Sequence, residues 1–147
     1  MENSNFYDQN TFYRVFERDL VQARHEVIIE SPFITTRRMM ILRPILVRLR
    51  QRDVSIIINT RNPSEHDDNH YDQALESVAI MQEMDVKVLY TARHHRKLAI
   101  IDREVLYEGS LNILSFSDSC EIMRRVVSST EATRLLKFIG IKKYARC

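Results

Sequence analysis

Alternating strand and helix patterns predict an α/β fold, with a mixed, mostly parallel β-sheet flanked by helices on both faces. Three observations carry that expectation. The runs EVIIE (26–30), VSIIINT (54–60) and VKVLYT (86–91) have the length and β-branched content of buried strands. Amphipathic stretches long enough for helices lie between them. After them, 97–102 and 104–108 read as two strands joined by a tight turn at Asp102-Arg103, an antiparallel hairpin added to the sheet.

The first predicted helix covers 12–24, with Phe12, Val15, Phe16 and Leu20 on one side and Asn10 or Thr11 as cap. It reads as a packing helix. Ser31-Pro32 ends the strand EVIIE, since proline cannot continue a central strand. Ser31 and Phe33 then fall at a carboxyl edge, where open α/β sheets bind ligands, although a simple turn is the plainer reading. A second helix is expected over 36–52, buried through Met39, Leu42, Ile45, Leu46 and Leu49, with Pro44 kinking it or marking its true start. Arg37, Arg38, Arg43, Arg48, Arg50 and Arg52 form its outer face. That face is either solvated or a contact for a nucleic-acid backbone.

Arg61 ends the strand VSIIINT in a position to contact a phosphate. In the loop after it, His66 and His70 lie among Glu65, Asp67, Asp68 and Asp72. Such donors can hold a divalent ion, but loops of this composition are common as solvated turns and helix caps, and no metal site is assigned. Asn69 or the acids before it cap a helix over about 70–83, with Leu75, Val78, Ala79 and Met81 buried and Met84 closing its end. Leu111 to Ser119 is a Ser-rich loop that walls a groove, where Phe116 either stacks on a base or packs. The last strand is placed over 120–127, opened by Glu121. Ser128 to Thr130 caps a final helix to about Tyr144.

Composition bounds the class. A length of 147 residues fits one domain, 1–147, and charged and hydrophobic shares of 29% and 44% are a globular balance. A net charge of +2 forces no nucleic-acid reading by itself. Arginine supplies most of the cations, and it grips phosphates bidentately. Cys120 and Cys147 have no metal or disulfide spacing. The start has neither the basic nor the apolar region of a signal peptide, and no apolar run approaches the ~20 residues of a membrane span. The expectation is a cytoplasmic protein without a membrane partner.

The chemistry concentrates in HRKLAIIDREVLYEGSLN, His95 to Asn112. A His and a Lys two apart on a strand share a face. A neutral imidazole beside an ammonium is a plausible nucleophile, because the neighbouring charge keeps it unprotonated. The ammonium also binds an anionic oxygen. Gly109-Ser110-x-Asn112 adds a tight turn with a hydroxyl and an amide, which grip a phosphate without adding negative charge. Such a set suits attack on a phosphodiester. Arg93 and Arg96 flank it and either hold substrate phosphates or are simply exposed. His94 falls on the opposite face.

The pattern H-x-K-x4-D followed by G-S-x-N resembles the HKD signature of the phospholipase D superfamily, in its compact one-motif, endonuclease-like branch. His95, Lys97, Asp102, Gly109, Ser110, Asn112 and Glu121 match in type, order and rough spacing. IIESPF and VSIIINTR resemble the first half of the same domain, so the likeness spans most of the chain. It implies an αβα sandwich. It also implies a homodimer, since the family builds one site from two motifs and this chain has one. One His95 would attack phosphorus and the other would serve as acid and then base. Lys97, Ser110 and Asn112 would hold oxygens, and Glu121 would orient the nucleophile. Asp102, part of the signature, is more structural than chemical by the same likeness. No metal or other cofactor is implied.

The compact one-motif members are typically endonucleases that cut DNA, and GSLNILSFSDSCEIMRR is similar to phospholipase D-like domains attached to helicases. The implied partner is nucleic acid, DNA before RNA, with a helicase or other DNA-processing protein as a possible companion. A lipid phosphodiesterase and a silent dimeric nucleic-acid-binding or regulatory module are the alternatives.

Overall fold

The computed structural model describes residues 3–116, 118–140 and 142. Among them seven strands form one sheet, with helices on both faces. The strands are β1 (Ser4–Tyr7), β2 (Glu26–Glu30), β3 (Ser55–Thr60), β4 (Lys87–Tyr90), β5 (Leu98–Ile101), β6 (Val105–Gly109) and β7 (Met123–Val127). The helices are α1 (Phe12–Val21), α2 (Thr36–Gln51), α3 (Asp68–Glu83) and α4 (Ser129–Ile139). The spatial order is β1-β7-β6-β5-β2-β3-β4.

The sheet is mixed, as expected, but it is not mostly parallel. Only β2–β3 and β3–β4 pair parallel; β2–β5, β5–β6, β6–β7 and β1–β7 pair antiparallel. The reason is that β5 docks beside β2 in the opposite direction and carries the hairpin with it. Its LAII run is buried throughout, so its residues show no alternation from which direction could be read. The hairpin turn is the expected one. Asp102 and Arg103 have φ of 54° and 53°, the left-handed pair of a type I′ turn.

Alternation across the strands divides the core. Val27, Ile29, Ile56, Ile58, Ala99 and Tyr107 face α1, α2 and α3, where Phe12, Phe16, Leu42, Leu46 and Met81 meet them. Ile28, Ile57 and Ile100 face the other way and pack on Ala132, Leu136 and Ile139 of α4. Beneath the first layer, Tyr107 donates its hydroxyl proton to Asp19, which also accepts from Arg125 Nε at 2.6 Å. Burial and the hydrogen bond to Asp19 push the Tyr107 hydroxyl well above its ordinary value.

Several elements differ from the sequence expectation. The edge strand β1 was not foreseen; SNFY is short and half exposed, and it is held by pairing with β7 and by Tyr7 against the core. Helix α2 starts before Pro44 and continues past it, with Pro44 on its exposed side. Arg38 is not on the outer face of α2. It is fully buried, donating Nε to the carbonyl of Ile113 at 3.0 Å and pairing with Glu17. Arg50 and Arg52 are also occupied, by the carbonyls of Val54 and of Val21 and Ala23. On α3 the buried stripe is Ala74, Ser77, Val78 and Met81, leaving Leu75 and Ala79 exposed; the cap Asp67 accepts from His70 N. Glu121 lies in the loop before β7 rather than opening it. Helix α4 stops at Ile139, where Gly140 takes φ 111° and ends it. Tyr144 and Cys147, named in the sequence reading, lie outside the described residues.

Candidate active site

Strand direction gathers the site. Because β5 runs antiparallel to β2, Leu98 at its start pairs with Glu30 at the end of β2, and with Glu108 at the end of β6. Gly109 in turn pairs with Met123 at the start of β7. His95, Lys97, Ser110, Asn112, Glu121 and Arg61 therefore all leave the sheet at one edge, the carboxyl edge of the parallel strands β2 and β3. Asp102, at the other end of β5, is brought to the opposite edge. Its carboxylate accepts from the backbone N–H groups of Arg24, His25 and Glu26 at 2.8–2.9 Å. Asp102 thus pins the entry to β2, away from the edge that carries His95.

His95 and Lys97 lie in the segment just before β5, not on the strand itself. His95 is exposed. Arg61, the first residue after β3, reaches it: Nη2 is 2.9 Å from Nδ1 and 3.2 Å from Nε2, while Nε donates to the carbonyl of His94 at 2.9 Å. Lys97 Nζ donates to the carbonyl of His95 at 2.8 Å. Burial, and then the Arg61 charge, hold the Lys97 ammonium below its ordinary range, while Glu121 pulls it the other way. These three charged groups therefore share one electrostatic neighbourhood around the histidine.

The tight turn expected at Gly109-Ser110 is absent: Gly109 closes β6 in register with Met123, and that pairing explains the glycine. A Cβ on Gly109 would lie 2.3 Å from the carbonyl oxygen of Ile122 and 2.8 Å from Met123 Cα, so only glycine admits the close approach of the segment before β7. Ser110 is fixed by that approach. Its N–H donates to Ile122 O at 2.8 Å, and its Oγ accepts from Ile122 N at 2.9 Å. Asn112 is half-buried, and its Oδ1 has no hydrogen-bond partner among the described residues. Glu121 N donates to Gln9 Oε1 at 3.0 Å, which fastens the loop before β7 to the chain after β1.

The other predicted substrate contacts separate. Arg93 is exposed with φ 54°, and its backbone N–H is held by Glu65. Arg96 sits 3.8 Å from Glu30 Oε1, with its guanidinium over Phe138. Phe116 packs on α1 and α2, its ring 5.0 Å from Tyr13 and beneath the guanidinium groups of Arg37 and Arg38. His66 and His70 stand around Phe33, and His70 Nδ1 pairs with Asp67 at 2.9 Å. Among the described residues no three His, Cys, Asp or Glu side chains gather as metal ligands. Two residues were missed as supports. Glu30, fully buried at the end of β2, lies 3.5 Å from Nε2 of the buried His94 and so braces the segment carrying His95. A lone acid closing the apolar run VII was the available signal.

The fold and this edge define an α/β domain with a histidine–lysine pair, backed by an arginine and a serine–asparagine turn, at the end of a central hairpin. The chain belongs to the phospholipase D-like family: the family model described as cardiolipin synthase, PLD-like domain, matches residues 16–139. No curated protein matches it by sequence. Solved structures share the fold at low identity. Nuc from Salmonella typhimurium, a phospholipase D family member, has a TM-score of 0.73 at 12% identity, covering 92% of this chain and 91% of that one. NucT from Helicobacter pylori has 0.73 at 15%, covering 94% and 93%. TrmBL2, an archaeal chromatin protein described for its mode of DNA binding, has 0.67 at 11%, covering 98% of this chain and 53% of that one. No helix among the described residues is long and apolar enough to cross a membrane.

Proposed function

We propose that this chain is a metal-independent phosphodiesterase that hydrolyses nucleic-acid phosphodiester bonds, DNA before RNA, from a site shared between two copies. The observation that carries the reading is the convergence of His95, Lys97, Arg61, Ser110 and Asn112 at one sheet edge. That edge supplies a nucleophile and a cluster of donors for phosphate oxygens. A ring nitrogen of one His95 attacks phosphorus, and the P–O bond to the leaving oxygen breaks as the second copy's His95 protonates it. The same second imidazole then takes a proton from water. The resulting hydroxide breaks the P–N bond and frees the first His95. Lys97 and Arg61 hold the nonbridging oxygens, and Glu121 orients the nucleophilic ring.

One chain holds one such histidine, so the two-step scheme needs a second copy. An exposed apolar patch beside the site supports that reading. Phe6, Ile122 and Phe138 are 68%, 54% and 79% exposed and share a groove with Lys97 and Gly109. Large apolar side chains this exposed mark interaction surfaces. The described DNA binding of TrmBL2, which shares the fold, and the arginines at the edge favour nucleic acid. The same exposed patch and the cardiolipin-synthase description of the family model favour a lipid phosphodiester as the second reading. A helicase or other DNA-processing protein is the companion that the likeness to helicase-attached domains points to.

The test is cleavage of single-stranded DNA, double-stranded DNA, RNA and phosphatidyl lipids in excess EDTA, with His95→Ala as control. Nucleic-acid cleavage that persists in EDTA and vanishes in the variant is expected. Cleavage of lipid alone moves the assignment to the second reading. Loss of activity in EDTA removes the metal-independent mechanism.

A further inference from the structure

Next to His95 stands a group of rings that the hydrolytic scheme does not use. Phe33 follows β2, His66 follows the short 3-10 turn Pro63–Glu65, and His70 lies in the first turn of α3. The Phe33 ring centroid is 5.1 Å from that of His66 and 5.2 Å from that of His70, and the two imidazoles are 6.0 Å apart. All three side chains are half-buried. The guanidinium carbon of Arg61 lies 5.0 Å from the Phe33 centroid, and the same guanidinium contacts His95. One planar cation thus joins the ring cluster to the candidate nucleophile.

We propose that Phe33, His66 and His70 form a nucleobase subsite, which stacks the base of a nucleotide adjoining the phosphate that Arg61 holds at His95. The proposal rests on the phosphodiesterase reading and narrows its substrate to nucleotidic phosphodiesters. Three features support a base rather than a lipid headgroup. Base–ring stacking uses flat π surfaces, and three half-buried rings gather here beside the guanidinium that contacts His95. A choline-type cation also favours aromatic rings, but here Arg61 already sets a positive charge over Phe33 and repels a second. Burial, then the charges of Arg61 and His70, keep His66 below its ordinary value. His66 is therefore a neutral ring at neutral pH, suited to an uncharged partner.

The test uses single-stranded oligonucleotides carrying one abasic nucleotide, scanned along the strand. Binding is read by fluorescence anisotropy on the His95→Ala variant, and cleavage on the wild-type protein. The intact strand is expected to bind about tenfold tighter than the strand abasic at one particular position, the scale of one stacked base. Adding Phe33→Leu, which keeps apolar volume without a ring, should bring that ratio close to one, and adding Phe33→Tyr should keep it. Circular dichroism checks that each variant is folded. His66→Leu, on the loop, lowers the ratio independently if Phe33 variants fail to fold. Equal binding of intact and abasic strands, no binding of either, or a preference that survives both leucine variants would overturn the subsite. The two readings fail separately. Base preference without cleavage of any strand keeps the subsite and removes the hydrolase. Equal cleavage and binding of all strands keeps the hydrolase and removes the subsite.

Discussion

Arg61 Nη2 lies 2.9 Å from His95 Nδ1, while Nε of the same guanidinium is committed to the carbonyl of His94. The side chain is therefore a brace as well as a charge: it ties the end of β3 to the segment that carries the candidate nucleophile. Arg61→Ala should lower kcat by about a hundredfold, the scale of removing one preorganised donor. Arg61→Lys should recover only part of it, since an ammonium cannot make both contacts. Steady-state kinetics on a nucleic-acid substrate checks both. Wild-type kcat in Arg61→Ala contradicts the role.

Lys97 makes the pH dependence specific. Burial and Arg61 lower its ordinary value of 10.5, and Glu121 opposes them. The ammonium is therefore lost earlier on the alkaline side than for a free lysine. The alkaline limb of the rate profile should fall below pH 10.5, move further down in Glu121→Gln, and move up in Arg61→Gln. The stability sign follows. Between the folded and unfolded values the unfolded chain binds more protons, so the Lys97 contribution to stability rises with pH across that window and is unfavourable below it. Lys97→Met should accordingly raise Tm at neutral pH while abolishing turnover. A lowered Tm in that variant counts against the assignment.

Gly109 is tested by the smallest possible change. Gly109→Ala puts a Cβ against backbone atoms of Ile122 and Met123, neither of which is a flexible side-chain end. The strands β6 and β7 must part locally, at a cost of at least about 1–3 kcal/mol. Urea unfolding should show that loss. Activity per folded molecule should fall as well, because Ser110 is fixed through the same Ile122 contacts.

Asp102 separates a signature position from a chemical one. Asp102→Ala removes the acceptor of three backbone N–H groups at the entry to β2, two of them exposed to water, a loss of about 1 kcal/mol or more. Its distance from His95 along β5 predicts that kcat per folded molecule stays near wild type. A collapse of kcat with unchanged Tm would return Asp102 to the site.

Much of this architecture was legible in the residues. EVIIE, VSIIINT and the hairpin around Asp102-Arg103 appear where the apolar runs and turn place them. Of the predicted helix stripe, Met39, Leu42, Leu46 and Leu49 are buried and Ile45 is half-buried. What was not legible is instructive. Strand direction is a tertiary property, and a fully apolar β5 reads the same either way. The edge strand β1 gains its order from β7, not from its own sequence. Arg38 looks like every other arginine on its helix until Glu17 and the carbonyl of Ile113 are brought to it from distant parts of the chain. Of the candidate site, His95, Lys97, Ser110, Asn112 and Glu121 could be named from the sequence because their types and spacing suit the chemistry proposed for them. The supports Glu30 and His94 could not, since their value lies in a contact across β2 and β5.

The central claim is that two copies of His95 serve one site, and subunit mixing tests it most directly. If the chain dimerises as proposed, wild-type chains co-refolded with increasing fractions of His95→Ala, at fixed total concentration, give homodimers and mixed dimers in statistical proportion. If one site needs both histidines, nuclease activity in EDTA falls as the square of the wild-type fraction. Activity that falls linearly with the wild-type fraction means each chain works alone, and contradicts the shared site.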